Sequence, residues 1–129
     1  MEILDERVSK KREIYEIYKE GFKDIPVKMM EELPETICTH WLSTMTIEND
    51  VHPMDIINAL SAENIESRPV WKPMHLQPIY KNCKFFTHLD NGSYSEFLFN
   101  KGICLPSDSK MTEEQQRKVI DTIKSCFVK

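Results

Sequence analysis

Apolar positions recur at helical spacing from the beginning of the chain. Leu4, Val8, Tyr15, Tyr18 and Phe22 share one side, widened by Ile14 and Ile17, while Lys10, Lys11, Arg12, Glu13, Glu16 and Glu20 make a wet side. This spacing predicts an amphipathic helix over Glu2–Lys19, stopped by Gly21. A helix this long needs something to pack on, and part of its apolar face is left for a missing or partner element. After a turn at Asp24-Ile25-Pro26, residues 27–35 carry no clear period, and Pro34 closes them. From Thr36 to Ile47 the period changes to two. Ile37, Trp41, Met45 and Ile47 fall on one face, and Cys38, His40, Leu42, Thr44 and Thr46 on the other, which predicts one long strand with Trp41 in the core.

Pro53 then opens a short helix to about Glu63, with Met54, Ile57 and Leu60 at helical spacing and Asn64 as a left-handed cap. Ile65–Val70 reads as a strand. Tyr80–Asp90 reads as a loop carrying Lys81, Lys84, Phe85, Phe86 and His88. Ser93 with Glu96 is a capping-box pattern that starts a helix over Tyr94–Asn100, ended by Gly102. Ile103-Cys104-Leu105 is a short buried strand stopped by Pro106. Thr112 with Gln115 repeats the capping box before a final helix marked by Val119, Ile120, Ile123 and Phe127. Strands alternating with short helices predict an α/β (α+β) two-layer sandwich. A small mixed or antiparallel sheet carries helices mainly on one face. With no repeat and no linker, residues 1–129 are expected to form one domain.

Composition removes several classes. The net charge of −4 argues against a sequence-independent nucleic-acid binder, which needs a basic face. No apolar run approaches membrane-spanning length, and the charged start lacks a signal core, so a cytoplasmic protein is expected. Cys38, Cys83, Cys104 and Cys126 form no Cys-x-x-Cys pair and no zinc spacing. They are expected to be free thiols, mostly buried, in a reducing compartment. The chain holds 3 glycines, too few to build a phosphate-cradling glycine loop.

One stretch remains chemically conspicuous. Glu66-Ser67-Arg68-Pro69-Val70-Trp71-Lys72-Pro73-Met74-His75-Leu76-Gln77-Pro78 combines prolines with Arg, Lys, Trp and His. Proline fixes φ and removes a donor, so the segment is expected to be stiff, extended and non-helical, and no central strand past Pro69. Arg68 and Lys72 suit phosphate oxygens, or are solvated charges on a rigid loop. His75 between two prolines leans toward binding, Trp71 is either a platform for a sugar or base or a core plug, and His40 is more often structural.

The same thirteen residues resemble the signature of the C-terminal domain of the DegT/DnrJ/EryC1/StrS family, pyridoxal-phosphate-dependent aminotransferases acting on nucleotide-linked keto-sugars. Leu4-Asp5-Glu6-Arg7-Val8 with Lys10-Lys11-Arg12 and Tyr15, Trp41-Leu42-Ser43-Thr44, Gly102-Ile103-Cys104-Leu105-Pro106-Ser107 and Thr112-Glu113-Glu114-Gln115 are similar to other parts of that domain, in the same order. The resemblance implies the small domain of a fold-type I aminotransferase. It also implies that the large domain with the cofactor-binding lysine has no counterpart here. Lys72 is not expected to be that lysine. No cofactor is then expected to be held covalently, and the chain alone is expected to be inactive. By the same resemblance Arg68, His75, Trp71 and Lys72 face the nucleotide-sugar, and Thr39 and His40 lie near the cofactor phosphate of a partner subunit. Many relatives have Ser-Asn-Arg where this chain has Cys38-Thr39-His40. A homo-oligomer through the apolar face of the first helix is expected. The alternative is a non-enzymatic regulatory or interaction module that retains the fold.

Overall fold

The computed structural model describes residues 3–89 and 92–128. In chain order the elements are α1 (Leu4–Gly21), β1 (Val27–Met29), β2 (Ser43–Ile47), α2 (Pro53–Ala62), β3 (Arg68–Pro69), α3 (Tyr94–Lys101), β4 (Gly102–Leu105) and α4 (Glu113–Ser125). The strands form an antiparallel sheet in the order β1-β2-β4-β3. Met45 faces Ile103 and Ser43 faces Leu105 across the central pair, so period two sends these side chains to one face. Ile14 and Tyr18 of α1 with Phe22 just after it, Ile56 and Leu60 of α2, and Val119 and Ile123 of α4 cover that face and make the core. The other face carries Thr44, Thr46, Cys104 and Gly102, and α3 lies against it, its Leu98 carbonyl pressed on Gly102. The two-layer sandwich with helices mainly on one face is thus the observed architecture.

Caps explain the helix starts. Thr112 Oγ1 accepts from the Gln115 N–H and the Gln115 side chain accepts from the Thr112 N–H, at 3.2 and 2.9 Å. At α2 the cap is His52, whose Nδ1 accepts from the Met54 N–H, with Pro53 following it. Asn64 has φ +57, the left-handed stop expected of it. Ser93 and Glu96 do not form the expected box: the Ser93 hydroxyl pairs with that of Ser95, and Glu96 is taken by His75. Gly21 and Gly102 end their helices without left-handed backbone. Among the described glycines only Gly92 has positive φ.

The long strand is corrected most. Only Ser43–Ile47 pairs, because Glu35 at φ +63 and His40 at φ +47 turn residues 33–42 into a folded loop. Ile37 and Trp41 are therefore exposed, Trp41 at 63%, rather than in the core, while His40 is buried. Residues 27–29, without a legible period, form edge strand β1. The strand expected over 65–70 shrinks to Arg68–Pro69. The proline-rich stretch holds two single 3-10 turns, Met74–Leu76 and Pro78–Tyr80. Proline is compatible with a helical start, where its missing N–H has no partner to lose.

The helix expected from Glu2 begins at Leu4, Glu2 lying outside the described residues, as does Asp90 at the end of the loop expected over 80–90. Of the apolar face expected to self-associate, Tyr15 and Tyr18 are buried in the core, while Val8 is half-buried and Leu4 is 55% exposed. The thiols are free but not mostly buried: Cys104 is buried, Cys38 and Cys126 are half-buried, and Cys83 is exposed. Among the described residues no helix is long and apolar enough to cross a membrane.

Candidate functional site

A cleft of about 1200 Å³ opens along β3. Arg68, Trp71 and Lys72 line one side, Trp41 stands beside them, and Pro106, Ser107, Asp108 and Lys110 come from the loop after β4. Sheet pairing sets the first group. β3 joins β4 with Arg68 opposite Cys104, and the Val70 N–H donates to the Gly102 carbonyl at 3.2 Å, which delivers Trp71 just beyond the sheet. The two indoles stack with centroids 6.0 Å apart and an interplanar angle of 26°, both more than 60% exposed. Trp71 is therefore a surface ring and not a core plug. Arg68 is exposed and pairs with Glu66, a contact that solvent screens. Cys104 faces the cleft, and burial pushes its thiol up, which keeps it a neutral, weak nucleophile.

The remaining candidates lie elsewhere. His75 is outside the cleft lining. Its Nε2 meets Glu96 Oε1 at 2.8 Å and its ring stacks on Phe85 at 3.7 Å, so it ties the first 3-10 turn to α3 and to the loop that precedes α3. His40 stacks on Tyr15 at 3.7 Å, its Nε2 lies 3.3 Å from Glu32, and its buried Nδ1 has no partner among the described residues. Burial holds His40 below the usual imidazole range. The Glu32 carboxylate pulls it back up, and the Arg12 charge adds to the lowering. Thr39 is exposed next to it. The structure thus brings Arg68, Trp71, Lys72 and Trp41 together, and leaves His75, Thr39 and His40 outside that cleft.

Sequence reasoning passed over the groups that hold these parts in place. Lys11 and Arg12, placed on the wet side of α1, are half-buried. Arg12 bonds Glu32 at 2.6 Å and the Cys38 carbonyl, and Glu32 also accepts from the Cys38 N–H at 3.1 Å. The Arg12 hydrogen bond holds the Glu32 carboxyl below the usual carboxylate range. Glu32 and the half-buried cations carry no distinguishing spacing, since their partners arrive from distant segments. Glu96 was visible as half of a capping box and serves another partner.

Tested against a pyridoxal phosphate, the described residues do not complete a site. Lys72 is exposed, Arg68 is engaged by Glu66, and His40 is turned inward against Tyr15 and Glu32. No group of three or more His, Cys, Asp or Glu side chains among the described residues is placed to hold a metal ion.

The antiparallel four-stranded sheet with α1, α2 and α4 on one face has structural neighbours among fold-type I aminotransferases. A solved aminotransferase of this kind from Brucella abortus superposes with a TM-score of 0.80 at 28% identity, covering 98% of this chain and 33% of that one. The chain belongs to the DegT/DnrJ/EryC1/StrS aminotransferase family, which matches residues 1–124. It is 44% identical over 128 residues to a Bacillus subtilis (strain 168) protein named "Putative pyridoxal phosphate-dependent aminotransferase EpsN", and 29% identical to the GDP-perosamine synthase of Vibrio cholerae. It covers 98% of its own length in both, against 33% and 34% of theirs, so the chain spans about a third of the curated relatives it matches.

Proposed function

We propose that this chain is the C-terminal small domain of a pyridoxal-phosphate-dependent aminotransferase acting on nucleotide-linked keto-sugars, in the synthesis of cell-surface or polysaccharide sugars. The carrying observation is the match to the family over residues 1–124 by a chain only a third as long as its relatives. The name GDP-perosamine synthase supports a nucleotide-linked sugar as substrate class. In this reading residues 66–72 form one wall of a substrate site whose other walls belong to a larger domain. Trp71 covers a flat face of the ligand, and Arg68 and Lys72 face its phosphates. In the same reading the Thr39 hydroxyl, which is exposed, meets a phosphate oxygen of the cofactor in a partner subunit. His75 acts near the sugar while anchored on Glu96.

The chain alone is not expected to transaminate. Borohydride reduction after addition of pyridoxal phosphate, followed by peptide mass spectrometry, should find only scattered labelling of exposed lysines. A stoichiometric pyridoxyl group on one lysine, Lys72 included, would refute this expectation.

A second reading, an interaction module, is favoured by the exposed apolar side chains Leu33, Ile37, Trp41, Ile79 and Phe86. It predicts dimers or larger species by light scattering at micromolar concentration. A clean monomer counts against it and leaves the first reading standing.

A further inference from the structure

The two indoles of the cleft are fixed by different means. Trp71 follows β3, whose pairing with β4 continues through the Val70 N–H. Trp41 has no such ladder. It lies two residues before β2, beyond the last pair, Ser43 with Leu105, at the end of the sheet where Ser107 leaves β4. There the chains separate and their carbonyls lose strand partners, which an extended polar backbone must replace. The Ser43 N–H turns to the Ser107 hydroxyl at 2.9 Å. The Lys11 ammonium of α1 donates to the Trp41 carbonyl at 3.1 Å and also to the Ser107 carbonyl. A lysine ammonium carries three donors, enough to bridge both carbonyls from one point. These are charge-assisted bonds, stronger than neutral ones. Because the Trp41 ring is 63% exposed, no core packing sets its direction.

We propose that Lys11 is a positioning residue of the cleft: by holding the carbonyls of Trp41 and Ser107 together it sets the Trp41–Trp71 stack that forms the indole wall. The ligand assigned to that wall, a nucleoside diphosphate joined to a sugar, rests on the reading under Proposed function. Lys11 touches no ligand in this arrangement and acts through Trp41. A charged group at this point of α1 is needed for the shape of the wall, whereas the core under α1 is built from Ile14, Tyr18 and Phe22.

The test uses the whole chain as wild type, Lys11→Met, Lys11→Arg and Trp71→Phe. Coupled indoles give a paired positive and negative band in circular dichroism, and its loss in Trp71→Phe assigns it to this stack. Lys11→Met should lose the band while keeping nearly the wild-type thermal midpoint, and Lys11→Arg should restore most of it. Guanosine diphosphate, titrated by tryptophan quenching, should bind Lys11→Met about tenfold more weakly than wild type. An unchanged band in Lys11→Met overturns the proposal. So does a midpoint drop in Lys11→Met as large as that of a core truncation, since Lys11 would then be merely structural. Should Lys11→Met fail to fold, Lys11→Gln, too short to reach both carbonyls, replaces it, and an unchanged band there is equally fatal. If guanosine diphosphate fails to bind wild type while the band behaves as described, the substrate reading falls and the positioning role stands.

Discussion

Ile103→Ala is expected to cost roughly 2–5 kcal/mol of folding stability, the range for truncating a fully buried branched side chain. Ile103 is 0% exposed, lies in β4 between β2 and β3, and faces Met45 on one side and Pro69 on the other. The deletion removes buried apolar area and leaves a cavity at the centre of the sheet, where the strands on both sides restrict collapse. A domain of this size has about 5–15 kcal/mol in all, so the loss is a large share of the total. Urea denaturation should show a lower midpoint at unchanged slope. Ile103→Val, which keeps the branched shape, should cost only about 0.5–1.5 kcal/mol. A loss below about 1 kcal/mol for the alanine variant would mean that β4 is not the centre of the core. Because Pro69 pairs with Ile103, the cleft segment 68–72 should also loosen, detected as faster amide exchange at Val70.

Gly102→Ala is expected to be nearly as damaging for the opposite reason. A Cβ there would lie 2.3 Å from the Leu98 carbonyl oxygen and 2.6 Å from Val70 Cγ2. Its backbone, at φ −98 and ψ 146, is open to any residue, so the penalty is steric. The carbonyl belongs to α3 and cannot yield without moving the helix. Overpacking of this kind typically costs about 1–3 kcal/mol, and a clash with main chain belongs at the upper end. Val70→Ala added to Gly102→Ala should recover part of the loss, because it removes one of the two collisions, and the double-mutant cycle should show that coupling. A single Gly102→Ala variant within about 0.5 kcal/mol of wild type would contradict the close approach of α3 to the sheet.

Much of the scaffold was legible because local chemistry and the fold agree. Thr112 with Gln115, Pro53, and Asn64 bound their helices as their side chains and backbone preferences require. Met45, Ile47, Ile103 and Leu105 reach the core as period two predicts. Gly102 was legible as a stop, and the structure adds the reason: it leaves room for the Leu98 carbonyl at an ordinary negative φ.

The candidate site was less legible. Residues 66–72 stood out by composition, and the structure gathers Arg68, Trp71 and Lys72 at one cleft. Trp41 joined them against expectation, because His40 at φ +47 breaks the alternation that would have carried Trp41 inward. His75, equally conspicuous, went to Glu96 and Phe85.

The sequence by itself determined the four α-helices and much of the core, Ile14, Tyr18, Met45, Leu60, Ile103, Val119 and Ile123 among it, since these follow from side-chain periodicity and from restrictions on individual backbone angles. Tertiary structure alone decided that Trp41 meets Trp71, that Arg12 and Glu32 fasten the loop before β2, and that Lys11 bridges Trp41 and Ser107. Those contacts join groups far apart in the chain, and their energy depends on distance and burial that no local pattern encodes.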